Sequence, residues 1–480
     1  MARLLFLRLG ALLPLAVVAG CNLIPDFATP AVPVPSAWIE DKMASNAPAW
    51  PERDWWRAFG SPVLDRLIET AQANNTDIGA AAARVLQADA QIQIARSPLF
   101  PSVDGSLDAT RTGQFSSSGT STTARRNFTV TNSFGAALNA SYELDFFGRN
   151  RSGLTSAEAS ATFSRFDRDT VALTVVANVA TTHFDVIQLR DRLAVARRNL
   201  AIAESVLAVV EARVRNGAAS PLDLAQQRTI VASQRATIPA LETQVRQAEN
   251  ALATLLGTHP GAIPPTTGTL LDIVPPPIQA GLPSELLIRR PDIQAAEAQL
   301  VAANAEIGAA RAAFFPSIQL TGERGQSSAT FANLLDPLGR SFQLATGLTI
   351  PIFAGGRLTG ERDLAEARRA ELVQAYRSTV ITAFADVENA LVAARRSTEQ
   401  ESLQAEAVEQ ARLGYELAEA RYRAGAVDLL VVLDAQRTLY QAEDQLAQIR
   451  FARLEAAVAL FRALGGGWDL DAAGGGPARR

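Results

Sequence analysis

Cysteine is almost missing from this chain. Its 480 residues hold one, Cys21, so no disulfide can form within the molecule. Only two histidines, His183 and His259, accompany it, which leaves little material for a zinc, haem or iron-sulfur centre. Lysine is equally scarce: Lys42 stands alone and every other basic residue is arginine. A Walker A loop needs a lysine after its glycines and Schiff-base chemistry needs a lysine amine, so both are excluded beyond residue 42. Nor is there a surplus of positive charge. With 45 basic against 49 acidic residues, the net charge is −4 and no nucleic acid partner is expected. No G-x-S-x-G elbow is present, neither histidine lies beside a nucleophile, and the carboxylates are scattered along helical stretches. The expectation is a protein that is not an enzyme.

Residues 1–20 have a basic start at Arg3 and Arg8, an apolar run from Leu9 to Val18 and a small-residue finish, the pattern of an export signal. Val18-Ala19-Gly20-Cys21 resembles a bacterial lipobox, whose cysteine takes an S-diacylglycerol and then an N-palmitoyl chain. Several acyl chains hold a protein to a bilayer where one would be marginal. Asn22 follows where an inner-membrane retention signal would place Asp. Residues 21–60, with Pro25, Pro30, Pro33 and Pro35, read as an extended lipid-anchored tether. No other cofactor is expected.

Self-comparison shows a tandem duplication. Asn74–Val103 aligns without gaps on Arg289–Ile318, with 13 of 30 positions identical, including Asp77/Asp292, Arg96/Arg311 and the shared Phe-Pro-Ser. Later, Glu211–Ala218 aligns on Glu419–Ala426 with six of eight identical. The repeats are placed at 61–257 and 285–464, separated by a proline-rich connector at 258–284 that neither helix nor central strand can cross. A glycine-rich tail at 465–480 is expected to be disordered.

Within each repeat the periodicity changes. Ala172, Val175, Val179, Thr182, Val186, Leu189, Leu193, Ala196, Leu200, Ala203, Leu207, Val210 and Val214 alternate steps of three and four, and twelve of the thirteen are apolar, a seam for knobs-into-holes packing. The second repeat carries the same plan from about Leu358 to Arg423, interrupted by Ser397, Glu401 and Gln404. Gly217 and Gly425 mark the helix ends, and Pro221 and Asp428 the restarts, so two helical hairpins are expected at 149–257 and 357–464, the first with a break at Pro239.

Before each long helix the period falls to two. Phe128, Val130, Phe134, Leu138, Tyr142 and Leu144 alternate with Thr129, Thr131, Ser133, Asn139, Ser141 and Glu143; Phe342, Leu344, Leu348 and Ile350 alternate with Ser341, Gln343, Ala345 and Gly347. Two strands at about 102–147 and two at about 317–353 are expected, apolar on one face and polar on the other as in a membrane barrel. Four strands cannot close, and an open edge cannot face hydrocarbon. If the strands span a bilayer, several chains must share one barrel, and two, three or four copies remain open by this count.

Trp55-Trp56-Arg-Ala-Phe-Gly60, Arg290-Pro-Asp-Ile293, Ala312-Ala-Phe-Phe-Pro-Ser317, Pro351-Ile-Phe-Ala-Gly-Gly-Arg357 and Leu433-Asp-Ala-Gln-Arg437, in this order, resemble the TolC-like outer membrane efflux protein family, in particular its lipoprotein branch. The resemblance implies a mainly α protein with transmembrane β: a homotrimer with a shared twelve-stranded barrel and a long α-helical barrel reaching into the periplasm of a Gram-negative bacterium. It implies a passive outer-membrane channel of a tripartite efflux system, with a periplasmic adaptor (membrane fusion) protein and an inner-membrane pump of the RND type as partners. Carried over by motif, Gly217, Ser220, Gly425 and Leu429 belong to adaptor-docking tips, and Asp223, Tyr422, Asp434 and Arg437 to a periplasmic gate. Val431 stands where some relatives have a second acid. The alternatives are a surface-anchored coiled-coil scaffold or adhesin without a pore, or a duct for type I protein secretion or metal efflux.

Overall fold

A computed structural model describes residues 22–40, 51–118, 125–263, 268–277 and 280–466. The export signal, Cys21 and the tail from 467 onward lie outside the described residues. Helices α1 (Pro62–Asn74) and α2 (Thr76–Arg96) lead into strands β1 (Ser102–Ser118) and β2 (Arg125–Leu144), then α3 (Arg149–Arg215) and α4 (Pro221–Leu255). The short α5 (Pro283–Arg289) precedes α6 (Pro291–Ala312), β3 (Ser317–Ser328), β4 (Arg340–Thr349), α7 (Arg357–Arg423) and α8 (Leu429–Ala463). The duplication is visible in the lengths: α3 and α7 each have 67 residues, and α4 and α8 each have 35.

The compact units do not follow the repeats. One gathers Met1–Pro30, Leu86–Phe163 and Glu297–Ala375, the other Ala31–Val85, Ser164–Ala296 and Tyr376–Arg480, so each draws on both copies.

In the first unit the four strands form one antiparallel sheet in the order β1-β2-β3-β4. The pairings Leu107↔Ala136, Leu138↔Arg324 and Ile318↔Leu348 carry one face across all four strands, because paired residues of an antiparallel ladder point the same way. Val103, Leu107, Leu138, Leu320, Leu344 and Leu348 share that face and are exposed. On the other face Ser102 meets Ser141 at 2.9 Å and Asn139 donates to Ser106 at 3.4 Å. The first hairpin is longer than expected from its apolar pattern, with strands of 17 and 20 residues against 12 and 10 in the second. Asp145 receives backbone N–H bonds from Asn150 and Arg151, satisfying free donors at the start of α3.

The expected tether is extended but docked. Within the first unit the Asn304 amide donates to the Pro25 carbonyl at 2.6 Å and Thr29 to Glu297 at 2.8 Å, while Gly308 leaves room for Ile24, which an added Cβ would meet at 2.6 Å. Within the second unit Trp38 is buried, donates to the Gly281 carbonyl at 2.9 Å and meets Phe384 edge-on.

The second unit is held by an aromatic core. Trp55, Trp56 and Phe59 pack with Leu64 and Ile68 of α1 against Val179, Phe184 and Ile187 of α3, Leu252 of α4 and Phe461 of α8. Trp55 stacks on Phe461 with centroids 4.8 Å apart. Burying each of these large side chains contributes about 1.5–3 kcal/mol, so the cluster is a main source of cohesion in the unit. Residues of the α3 seam are buried or half-buried throughout. Its counterpart in α7 is interrupted for a reason the sequence hides: Glu401 pairs with Arg450 and Arg453 of α8, and Gln404 donates to the Ala442 carbonyl. Pro239 does not break α4, which runs unbroken from Pro221 to Leu255. A proline costs an interior helix one backbone bond, and here the flanking helical contacts, with Val231 and Leu241 buried on either side, outweigh it.

Candidate functional site

The residues singled out from the sequence gather at two helical turns in the second unit. Each long helix closes in the same way. Ala218 N–H bonds the Arg213 carbonyl at 2.8 Å and Ala426 N–H bonds the Arg421 carbonyl at 2.9 Å, with Gly217 and Gly425 at φ of 71° and 76°. Such left-handed positions are cheap only for glycine.

The restarts differ. Ser220 caps α4 by accepting from the Asp223 N–H, and the Asp223 carboxylate accepts in turn from the Ser220 N–H at 2.8 Å and hydroxyl at 2.9 Å. Asp223 is therefore engaged by its own helix start. Asp428 makes no such bond at the start of α8, and Val431 stands where the first turn has its acid.

Beneath the turns lies an apolar cluster built from Val206 and Val210 of α3, Tyr415, Ala418 and Tyr422 of α7, and Leu429, Val432, Leu433 and Leu439 of α8. Leu429, expected on a docking surface, is instead 3 % exposed inside this cluster. It shares a helix face with Val432, Leu433 and Gln436, all buried, and the helical period turns Leu430 and Val431 outward in its place. On the first turn Leu222 is the exposed apolar residue.

Tyr422 is buried and its hydroxyl has no hydrogen-bond partner, so within one chain it is not bonded to Asp223. Its ring lies under the Arg213 guanidinium, 4.3 Å from the centroid, and Arg213 donates to the carbonyls of Tyr422 at 2.6 Å and Arg423 at 3.1 Å. Arg213 thus caps the end of α7 from the neighbouring helix. Sequence reasoning passed over Arg213, although the aligned Glu-Ala-Arg phrases contain it. Two turns back from Tyr422, burial and then the adjacent Glu419 push the Tyr415 hydroxyl up to about 12, so it stays protonated and donates to Glu419, which also pairs with Arg423 at 2.7 Å.

Asp434 and Arg437 are brought together: the guanidinium meets the carboxylate at 2.6 Å, and both side chains are 65 % exposed. An exposed pair of this kind contributes little to stability. Both groups remain free to exchange partners.

The chain was compared with known proteins. Residues 67–258 and 282–466 match the family model for the outer membrane efflux protein. The pyoverdine export outer membrane protein OpmQ of Pseudomonas putida is 46% identical over 461 residues, covering 96% of this chain and 97% of that protein. The cation efflux system protein CusC of Escherichia coli is 33% identical, over 95% of this chain and 99% of that one. Among solved structures, CusC has a TM-score of 0.81 at 32% identity, and the open state of the MtrE outer membrane channel of Neisseria gonorrhoeae 0.82 at 32% identity, each covering 93% of this chain and, respectively, 100% and 98% of the other.

Proposed function

Since the chain belongs to the outer membrane efflux protein family, we propose that it is a passive outer-membrane export channel for small molecules, built from three copies that share a twelve-stranded barrel. The observation that carries this is the sheet: a continuous apolar face, exposed in the single chain, with open edges at β1 and β4. Unpaired edges have no partner in hydrocarbon, so β4 of one copy pairs with β1 of the next. Helix α7 supports the same assembly, because Ile381, Val392 and Leu403 recur every 11 residues on one exposed face.

The helical turns at Gly217–Ser220 and Gly425–Val431 are the ends offered to a periplasmic adaptor, with Leu222, Leu430 and Val431 as the apolar contacts. An inner-membrane pump of the RND type supplies the energy. Asp434, Arg437, Asp223 and Tyr422 form the gate between copies, and releasing their polar contacts opens it. Cys21 carries the diacylglycerol and palmitoyl chains that hold the mature chain to the outer membrane. Pyoverdine is the first cargo to assay, given the two OpmQ relatives named for its export.

Planar-bilayer conductance of the purified trimer tests the reading, since a coiled-coil scaffold or adhesin passes no ions. Replacing both Asp434 and Arg437 with Ala is expected to raise conductance; an unchanged value removes them from the gate. Cys21→Ser is expected to abolish labelling by radioactive palmitate, and a variant still labelled overturns the lipid assignment.

A further inference from the structure

Charge in the sheet is sorted by face. Among strand residues whose side chains are described, every acid (Asp104, Asp108, Glu143 and Glu323) lies on the polar face, and every base (Arg111, Arg324 and Arg340) lies on the apolar one. Alternation alone does not require this. A hydrophobic row needs no arginine, and a charge pointing at the middle of a bilayer costs about 2–4 kcal/mol.

The depth of the three arginines resolves the conflict. Arg340 and Arg111 each stand nine residues from the helix-side end of their strands, Thr349 and Ser102, and Arg324 stands seven from Ser317. At a rise of about 3.3 Å and a tilt near 40°, these steps place Arg340 and Arg111 roughly 23 Å and Arg324 roughly 18 Å along the barrel axis, in the outer part of an apolar band about 25 Å tall, with Phe115 and Phe128 of the longer hairpin exposed beyond them on the same face. Toward the interface the penalty for a charge falls to about 0–1 kcal/mol, and an arginine side chain extended outward from these positions reaches the level of the phosphate groups.

Two of the three are neighbours. Arg324 pairs with Phe342 and Arg340 with Gln326, which sets the two arginines on adjacent strands one diagonal step apart on the same face. All three are exposed, and none makes an ion pair with a described residue. A neighbouring copy cannot supply the missing acids from its sheet, because it carries the same sorting. Helix-side of the pair on this face lie Leu320, Leu344 and Leu348, and beyond it the loop to β4 exposes Phe331, Leu335 and Leu338, with Phe331 packed edge-on against Phe134.

We propose that Arg324 and Arg340 form a seat for the phosphate groups of an anionic glycolipid of the outer leaflet, flanked by Arg111 of the longer hairpin, with the lipid's acyl chains lying along the leucine rows. The inference rests on the reading that the apolar face meets the bilayer. A guanidinium presents two parallel donors to a phosphate, so the seat distinguishes phosphorylated from neutral headgroups. A phosphorylated glycolipid with several chains fits better than a single phospholipid, because both arginines are engaged at once over a broad apolar row.

The test uses full-length trimer in detergent, offered separately bis-phosphorylated lipid A, its monophosphorylated form, phosphatidylglycerol and phosphatidylcholine, with retained lipid counted by native mass spectrometry. Wild type is expected to retain the bis-phosphorylated form most, and the Arg324→Gln/Arg340→Gln variant about tenfold less. Asp104→Asn, on the opposite face, is expected to leave retention unchanged. If the double variant fails to form trimers, the two single variants are read instead, each with a smaller loss. Equal retention by wild type and the glutamine variants overturns the seat, and preference for phosphatidylglycerol overturns the glycolipid assignment. Wild-type trimers that conduct but show no lipid preference overturn the seat alone. Wild-type protein that neither trimerises nor conducts overturns the channel reading itself.

Discussion

The two repeats agree in length to the residue through their long helices, yet matched positions, 208 apart from Arg149 and Arg357 onward, carry different chemistry. The first turn restarts on Ser220 and Pro221 with a reciprocal cap, the second on Asp428 and Leu429 with the leucine sunk into an apolar cluster. Where the first long helix buries His183, the second has Leu391. Equal geometry has been kept by unequal means. One turn is held by hydrogen bonds at its surface and the other by packing beneath it.

The largest test of this contrast is Leu429→Ala. Removing a buried leucine costs about 2–5 kcal/mol, so amide hydrogen exchange at the second turn is expected to accelerate steeply. Pro221→Ala at the matching exposed position is expected to cost under about 1 kcal/mol, and equal losses at the two sites would dissolve the distinction.

Second in size is His183→Leu, which gives the first repeat the residue of the second. Burial, then the charge of Arg190, lowers the His183 pKa from 6.5 to about 4, and neither ring nitrogen has a hydrogen-bond partner. The folded pKa lies below the unfolded one, so stability is complete above about pH 6.5 and drains as pH falls toward 4, by on the order of 3 kcal/mol. Thermal unfolding of the leucine variant between pH 6.5 and 4 is expected to lose most of that slope; an unaltered slope assigns it to other groups.

The smallest is at the caps. Ser220→Ala is expected to cost about 1 kcal/mol at the start of α4, and Asp428→Ala much less at the start of α8, because only the serine makes its capping bond. Hydrogen exchange of each first helical turn separates the two, and a comparable loss at Asp428 would show that its side chain caps in solution.

Most of the fold was legible because its signals are periodic. The three-four seam of α3, the period-two rows of the strands and the glycine and proline stops at the turns each need one residue type per step. What stayed hidden depends on partners far away in sequence. The polar residues that interrupt the α7 seam are answered by Arg450 and Arg453 of α8, which pair with Glu401, and the extended tether is docked by Asn304 and by Trp38, contacts that no local pattern announces. At the turns, Gly217, Ser220 and Gly425 declare themselves by backbone chemistry. Leu429 and Leu430 do not, since adjacent leucines look alike until a helix face is assigned. Arg213 was hidden differently: an arginine shared by both repeats acquires a special task in only one.

Strand β2 joins β3 through residues 134–144 and 318–328, with the whole first helical hairpin between them. A polypeptide delivered from its amino end therefore finishes β1 and β2 long before their neighbour exists. During that interval the hairpin presents a greasy row and an unpaired rim, the features that drive strands to stick to the wrong molecule. Loop closure over so many residues is slow compared with helix formation. Until the carboxyl half arrives, the order of synthesis itself leaves the first hairpin as the most exposed liability of the growing chain.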